Sequence, residues 1–332
     1  MILHNLDINE YHSHTAISNS KLKAFRQKGP LFYKKKYIDK TIPEVKTEAL
    51  SDGTAFETFL TEHGKFDSRY IVRPEGMDFR TVAGKSWKAN YEGWEIITTE
   101  KLQTFQAMAD ALREHPLTGP MIADKNSIGQ VSLRHMSSVF GLEMQTRPDW
   151  LNLKGCELSN GEPYINDLKT TDDFGDWFDW KDPNNMNAAI RTITKYDYHR
   201  QAALAQHVCI QDPEIGKVAQ FLTVIEKQEP FRCGVFKMAD SVLEIGFQSI
   251  ERDLKRLKSC MDKNEWPNPT DKLITVAAPI WMQEAEIREY DAFQDEYSSG
   301  TDDQYQTEKE AAQEAGNAAA DAIATINKGG RK

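Results

Sequence analysis

The sequence lacks several features that mark secreted, zinc-stabilised or membrane-embedded proteins. Its four cysteines, at positions 156, 209, 233 and 260, include no C-x-x-C pair, so neither a zinc clamp nor a disulfide framework is expected. No stretch reaches the ~18 consecutive apolar residues of a membrane span, and the first fourteen residues contain no export signal. We therefore expect a cytoplasmic protein with reduced thiols and no membrane partner.

Charge is unevenly distributed along the 332 residues. The net charge of −10 taken alone argues against a nucleic-acid partner. However, residues 281–332 contain twelve acidic and five basic side chains, whereas residues 21–40 contain eight basic and one acidic. Aromatic residues lie among the cations of residues 21–40, a composition that suits a phosphate backbone and equally a solvated helix face. Lys21, Lys23 and Arg26 are the candidate DNA contacts of this segment.

The spacing of apolar residues predicts a group of strands framed by helices. Helical spacing is found at residues 51–64, 98–116, 195–208 and 250–261. Strand-like spacing is found at residues 130–135, 141–151, 163–170, 221–226 and 232–238. This order of elements is typical of an α/β domain.

The composition also suggests where the domain ends. We predict one domain over residues 1–282, with a helical segment at about 15–115 and a core at about 127–270. Residues 283–332 are polar, acidic and rich in alanine. Such a composition predicts a flexible tail or a lone helix.

One pair of acidic residues stands out within the predicted strands. Asp149 follows Pro148, and the run Asp167-Leu168-Lys169 lies eighteen residues further on. In a strand, Asp167 and Lys169 face the same side, and a hairpin would bring Asp149 beside Asp167. Two converging carboxylates repel unless a cation lies between them, and Mg²⁺ prefers such oxygen ligands. A neighbouring lysine can hold or help deprotonate a water aimed at phosphorus, so the pattern favours phosphodiester hydrolysis.

The Asp-x-Lys tripeptide alone is not specific. It occurs again at Asp253-Leu254-Lys255, inside a helical pattern. There the two charges would point about 200° apart, because a helix has 3.6 residues per turn. The alternative for Asp167 and Lys169 is therefore an exposed salt bridge on a strand.

Seven segments, in a fixed order, resemble one nuclease family. They are ISNSKLKAFRQKGPLFY, DGTAFETFL, FRTVAGKSW, TRPDWL, NDLKT, YDYHRQAA and Cys260 followed by Trp266-Pro267. They are similar to the RecE-type exodeoxyribonuclease VIII family of phage and prophage recombination exonucleases, within the PD-(D/E)XK nuclease superfamily. The resemblance covers about residues 17–267. It implies a restriction-endonuclease-like α/β core, in which helices flank a central mixed sheet.

The resemblance also implies roles for individual residues. Asp149 and Asp167 correspond to metal ligands, Lys169 to the catalytic lysine, and the backbone carbonyl of Leu168 to a further ligand. Gln201 corresponds to a catalytic glutamine that positions the substrate or the site. The metal would be Mg²⁺, with two ions per site and with Mn²⁺ able to substitute.

Three further residues are candidates for DNA contact. Tyr198 lies one helical turn before Gln201, and Arg80 and Lys85 are candidates for gripping the DNA backbone or a terminal 5′-phosphate. For Arg80 and Lys85 the alternative is ordinary surface charge. For Gln201 the alternative is an amide on a helix surface.

The chain departs from the family pattern at two positions. The family usually has histidine where this chain has Glu57, which could ligate Mg²⁺ or face solvent. The family often has an aromatic residue four positions after the glutamine, where this chain has Ala205. Neither departure removes the central carboxylates or the lysine.

The resemblance implies a Mg²⁺-dependent exonuclease that digests linear double-stranded DNA 5′ to 3′. The product, a 3′-ended single strand, would pass to a single-strand annealing protein of the RecT kind during recombination. Relatives form rings, so we expect a homo-oligomer encoded by a phage or prophage in a bacterial host. The alternatives are an endonuclease on the same core and a catalytically silent DNA-binding scaffold for an annealing protein.

Overall fold

A computed structural model describes residues 1–4, 6–43, 48–268, 273–297 and 309–318. The chain divides into two compact units, residues 1–268 and residues 269–332. The second unit contains one helix at Ile280–Tyr297 and another at 309–318 within its described part. None of the helices in the described ranges combines the length and the apolar composition that crossing a membrane requires.

Seven α-helices are described in the first 125 residues. They are α1 (Ile8–Ser13), α2 (Asn19–Tyr33), α3 (Glu48–Thr61), α4 (His63–Arg69), α5 (Val82–Asn90), α6 (Thr99–Glu114) and α7 (Thr118–Ala123). Helix α6 begins where the Thr98 hydroxyl accepts a hydrogen bond of 3.1 Å from the backbone N–H of Lys101. It buries Phe105, Met108 and Leu112 on one side, which confirms the helix predicted at residues 98–116.

The strands in the described ranges form one main sheet and two small ones. They are β1 (Ile2–Leu3), β2 (Tyr70–Val72), β3 (Glu95–Ile97), β4 (Ser127–Gly129), β5 (Ser132–Met136), β6 (Glu143–Thr146), β7 (Trp150–Asn152), β8 (Tyr164–Thr171), β9 (Ala219–Glu226) and β10 (Cys233–Lys237). The main sheet has the order β10-β9-β8-β7-β4. Strands β8 and β9 run parallel and the other pairs antiparallel, so the predicted mixed sheet is confirmed.

The predicted strand at residues 141–151 is in fact two strands that belong to different sheets. Strand β6 pairs with β5 in a small sheet, and β7 pairs with β8 in the main sheet. Proline has no N–H to donate to a ladder, so Pro148 interrupts the pairing between them. The interruption places Asp149 at the edge where β7 begins.

The remaining helices of the first unit are α8 (Asn187–Tyr196), α9 (Tyr198–Ile210) and α10 (Asp240–Lys263), and the helix at Ile280–Tyr297 is α11. The predicted helix at residues 195–208 is interrupted at Asp197, whose φ of 66° is left-handed and ends α8 before α9 starts. Tyr198 and Gln201 are therefore in the first turn of a new helix.

Helices cover both faces of the main sheet. On one face, Ile165 of β8 packs in a core cluster with Leu204 of α9 and Leu254 of α10. On the other face, Leu168 packs in a second cluster with Phe56 of α3 and Phe105 of α6. Burial on both faces explains why β9 is buried along its whole length.

The second Asp-x-Lys tripeptide behaves as its helical setting predicts. Asp253 turns inward and pairs with the buried Arg200 of α9 at 2.5 Å, whereas Lys255 turns outward and pairs with Glu251 at 2.9 Å. The two charges therefore lie on different sides of α10.

Candidate active site

Asp149 is attached to the centre of strand β8. Its Oδ2 accepts a hydrogen bond of 2.6 Å from the backbone N–H of Leu168. Trp150 pairs with Asn166 in the antiparallel register of β7 and β8, and one further step places Asp149 opposite Asp167. The strand pairing thus brings the two acidic residues together, although 18 positions separate them in the sequence.

Asp167 and Lys169 lie on the face of β8 that is covered by α9. Both project from the same side because they are two residues apart in a strand. The Nε2 of Gln201 donates to Asp167 Oδ2 at 3.0 Å, and the Lys169 ammonium lies 5.1 Å from the centre of the Tyr198 ring. Helix α9 therefore places a hydrogen-bond donor on the aspartate and an aromatic face under the lysine.

Glu57 of α3 also reaches this centre. The amide nitrogen of Gln130 donates to Glu57 Oε1, and the same nitrogen lies 3.2 Å from Asp149 Oδ1. Glu57 is half-buried on α3, between the buried residues Phe56 and Thr58. The structure thus gathers Glu57, Asp149 and Asp167 from three separate segments of the chain.

The carboxyl groups of this centre are held in an unfavourable environment. Burial raises the pKa of Asp149 well above its usual range, and the nearby charge of Glu57 raises it further. Burial likewise raises the pKa of Asp167 to about 6. Burial opposes the charge of Lys169, but the carboxylates of Asp167 and Asp149 outweigh it and raise the pKa of that ammonium.

These shifts predict how the stability of the metal-free protein depends on pH. Since the pKa of Asp167 is higher in the folded protein, the residue stabilises the fold below pH 3.8, and this contribution is lost as the pH rises through about 6. A shift of about two units corresponds to about 3 kcal/mol. We expect the free energy of unfolding, measured with urea in the presence of a chelator, to increase as the pH falls from 8 to 5. An Asp167→Asn variant that keeps the full increase would contradict this assignment.

The donor atoms of the centre fit a divalent cation with hard oxygen ligands. Glu57, Asp149 and Asp167 offer carboxylate oxygens, and the backbone carbonyl of Leu168 is the fourth candidate donor. Among the described residues, no group of three or more His, Cys, Asp and Glu side chains is arranged to hold a metal ion, so the fit rests on the kind of donor atoms that these residues carry. The Gln130 amide nitrogen bonds both Glu57 and Asp149, as a cation between them would.

The three candidate DNA contacts on α2 differ from one another in their surroundings. Lys21 is 4% exposed, and its ammonium donates to the backbone carbonyls of His14 and Ala16. Its buried charge therefore fastens the chain before α2 and is not presented to a phosphate, contrary to the expectation from sequence. Lys23 and Arg26 remain partly exposed and pair with Asp197, at 3.5 and 2.5 Å, between α8 and α9.

Arg80 and Lys85 lie in the segment between β2 and β3. The Arg80 side chain is 91% exposed and forms a two-pronged ion pair with Asp78 of its own turn. Lys85 is exposed on α5. The structure shows neither side chain in contact with the acidic centre.

Gln130 and Arg147 also belong to the site, although the sequence did not point to them. Gln130 has a left-handed φ of 51° in the link from β4 to β5, and Arg147 precedes Pro148. The Arg147 Nε donates to Gln130 Oε1 at 3.0 Å. The nearness of Arg147 to Asp149 in the sequence was the one available signal.

Comparisons with known proteins bear on the family and the fold of the chain. Residues 18–277 match the family described as a PDDEXK-like domain of unknown function (DUF3799). Nine chains of solved structures match the fold. One is the crystal structure of a "putative exonuclease" from Eubacterium rectale, with a TM-score of 0.55, 15% sequence identity, and coverage of 83% of this chain and 95% of that chain. The search of curated proteins gave no match.

The family match spans most of the chain and includes every residue of the acidic centre. It confirms the resemblance at the level of the PD-(D/E)XK superfamily. At 15% identity, the structural match supports the fold alone. By its sequence, the chain belongs to the PDDEXK-like DUF3799 family.

Proposed function

We propose that the protein is a Mg²⁺-dependent deoxyribonuclease, and specifically an exonuclease that degrades linear double-stranded DNA 5′ to 3′. One observation carries the proposal. Asp149 is bonded to the backbone of β8 between Asp167 and Lys169, and Gln130 connects it to Glu57. Converging buried carboxylates beside a lysine are an arrangement that serves metal-assisted phosphodiester hydrolysis better than it serves stability.

The residues that would hold the ion are Glu57, Asp149, Asp167 and the carbonyl of Leu168. When bound, a divalent ion supplies positive charge that polarises the phosphoryl oxygen and stabilises the leaving oxyanion. Because the pKa of Lys169 is raised, its ammonium stays charged at neutral pH. A charged Lys169 can orient the attacking water and stabilise negative charge that develops on the phosphate.

An aromatic stack beside Lys169 supports a nucleic-acid substrate. The rings of Trp177 and Tyr198 stack at 5.9 Å, and those of Tyr198 and Tyr196 stack at 5.6 Å. Trp177 is buried and Tyr196 is 45% exposed, so the stack runs from the core to the surface. Exposed aromatic faces next to cations such as Lys195, 5.2 Å from the Tyr196 ring, are suited to nucleic-acid bases and phosphates.

Digestion of matched DNA substrates tests the proposal. We expect Mg²⁺ or Mn²⁺ to support release of nucleotides from linear duplex DNA, and covalently closed circular DNA of the same sequence to stay intact. A label at the 5′ end should be released before a label at the 3′ end. Cutting of the closed circle would instead support the endonuclease alternative, and no cutting of either substrate would support the silent scaffold.

The assembly and the biological role belong to the same proposal. The resemblance implies a homo-oligomeric ring, and the contrast in charge between residues 21–40 and residues 281–332 motivates that expectation. The 3′-ended strand would pass to a single-strand annealing protein of the RecT kind in the cytoplasm of a bacterial host. Light scattering that gives a mass of 37.9 kDa at micromolar protein would contradict the ring.

A further inference from the structure

The side-chain amide of Gln130 connects the carboxylates of the proposed metal site. Its Nε2 donates to Glu57 Oε1 on α3 and lies 3.2 Å from Asp149 Oδ1 at the start of β7. The Gln130 backbone N–H also donates to the Asp149 carbonyl at 3.0 Å. One residue thus holds ligands from a helix and from a strand in a fixed relation.

The conformation of Gln130 is costly and therefore informative. Its φ of 51° is left-handed, a region that is unfavourable for a residue with a side chain. Gln130 is also 8% exposed, so its amide must find its partners inside the protein. The surrounding structure maintains this conformation, which aims the amide between Glu57 and Asp149.

Arg147 fixes the orientation of that amide. Its Nε donates to Gln130 Oε1 at 3.0 Å, and its Nη1 donates to the Leu6 carbonyl at 2.8 Å. Because an arginine can only donate, it bonds the amide oxygen and leaves the amide nitrogen facing the two carboxylates. The hydrogen bonds from Arg147 to Leu6 and to Gln130 therefore connect the two acids to the N-terminal segment.

We infer that Gln130 is a positioning residue for the metal ligands Glu57 and Asp149, and that Arg147 acts through it. The inference rests on the proposed function, since it concerns the same ion. A carboxylate oxygen has more than one lone pair, so Asp149 can accept from Gln130 and Leu168 and still bind a cation. Removing a hydrogen-bond partner of a metal ligand costs about 10–100-fold in metal affinity.

The chain contains a matched control for this arrangement. Gln145 is also buried, at 1% exposure, and its Oε1 also accepts from an arginine, with Arg134 Nη2 at 3.1 Å. Its Nε2, however, donates to the backbone carbonyl of Tyr11 at 2.8 Å and not to a carboxylate. The same substitution at Gln145 therefore removes a buried amide without touching the metal ligands.

The experiment is a calorimetric titration of Mn²⁺ into the metal-free full-length chain. We expect Gln130→Met to weaken Mn²⁺ binding by about 10–100-fold, and Gln145→Met to leave it within about twofold of wild type, because Gln145 touches no ligand. Urea unfolding in a chelator should show a loss of stability for both variants, since each loses a buried amide and its hydrogen bonds.

A double-mutant cycle tests the part played by Arg147. Arg147→Lys keeps the charge but loses the Nε donor, so it should weaken Mn²⁺ binding when Gln130 is present. In the Gln130→Met background it should have no further effect on affinity. Arg147→Lys also tests the inference by itself if Gln130→Met does not fold.

Four outcomes separate the inference from the proposed function. If wild type binds no Mn²⁺, the proposed metal site fails and the inference falls with it. If wild type binds Mn²⁺ and Gln130→Met binds it equally well, the inference alone is overturned. It is also overturned if Gln145→Met weakens binding as much as Gln130→Met, or if Arg147→Lys weakens binding equally in both backgrounds.

Discussion

Replacing Lys169 with alanine is expected to reduce the rate of hydrolysis of linear duplex DNA by about 10²–10⁴-fold. Lys169 is the one cation that lies on the same face of β8 as Asp167, and its raised pKa keeps it charged. The variant should still bind Mn²⁺, because an ammonium is not a metal ligand. The loss should therefore appear in kcat and not in metal affinity.

The second Asp-x-Lys tripeptide supplies the control for Lys169. Lys255 follows Asp253 with the same spacing, but its side chain is 67% exposed and pairs with Glu251 on the surface of α10. Lys255→Ala should therefore retain the rate of wild type, since a surface ion pair of this kind contributes little. Equal losses in the two variants, or an active Lys169→Ala, would show that the catalytic centre lies elsewhere.

Replacing Asp167 with asparagine is expected to abolish hydrolysis and, at the same time, to stabilise the metal-free protein. At pH 8 a buried carboxylate with a pKa of about 6 destabilises the fold. The neutral amide of asparagine does not carry the free-energy cost of a buried charge. Asparagine can still accept from Gln201. We expect a gain of about 1–3 kcal/mol in the free energy of unfolding in a chelator, because Lys169 loses a partner and offsets part of the gain.

Bound Mn²⁺ should make wild type more stable than the Asp167→Asn variant. An ion that binds only the folded state stabilises it by about 2.7 kcal/mol at a concentration one hundred times its Kd. Wild type should therefore gain stability when Mn²⁺ is added at pH 8, and Asp167→Asn should not. A variant that is still stabilised by Mn²⁺ would show that Asp167 is not a ligand.

Replacing Asp253 with asparagine should, in contrast, lower the free energy of unfolding. Asp253 is buried against Arg200 at 2.5 Å, and Arg200 itself is 1% exposed. Removing the negative charge leaves the buried guanidinium uncompensated, which costs about 3–5 kcal/mol. A gain of stability at Asp167 beside a loss at Asp253 would distinguish an acid retained for function from one retained for structure.

The sequence was most informative where the information is local or repeats at a fixed period. Helix α6 and strand β8 were predicted because their apolar residues recur with the periods of a helix and a strand. The pairing of Asp149 with Asp167 was also predictable, because a hairpin with a known turn region sets the register. The ordered series of motifs then identified the superfamily.

The predictions were wrong where the backbone ends one element and begins another while the spacing of apolar residues continues. Residues 141–151 alternate as one strand would, but Pro148 divides them between two sheets. Residues 195–208 have the spacing of one helix, but Asp197 is left-handed and starts a new one. Lys21 lies in a run of cations that suggested exposure, yet its ammonium is buried against two carbonyls.

Taken by itself, the sequence determined the fold class and the central acids and lysine, because these depend on periodicity and on residues close together along the chain. Only the tertiary structure decided that Glu57 joins Asp149, and that Gln130 and Arg147 hold them. The contact between Gln130 and Glu57 alone connects residues 73 positions apart. Which side chains meet over such distances depends on how whole elements pack, and no local pattern encodes that.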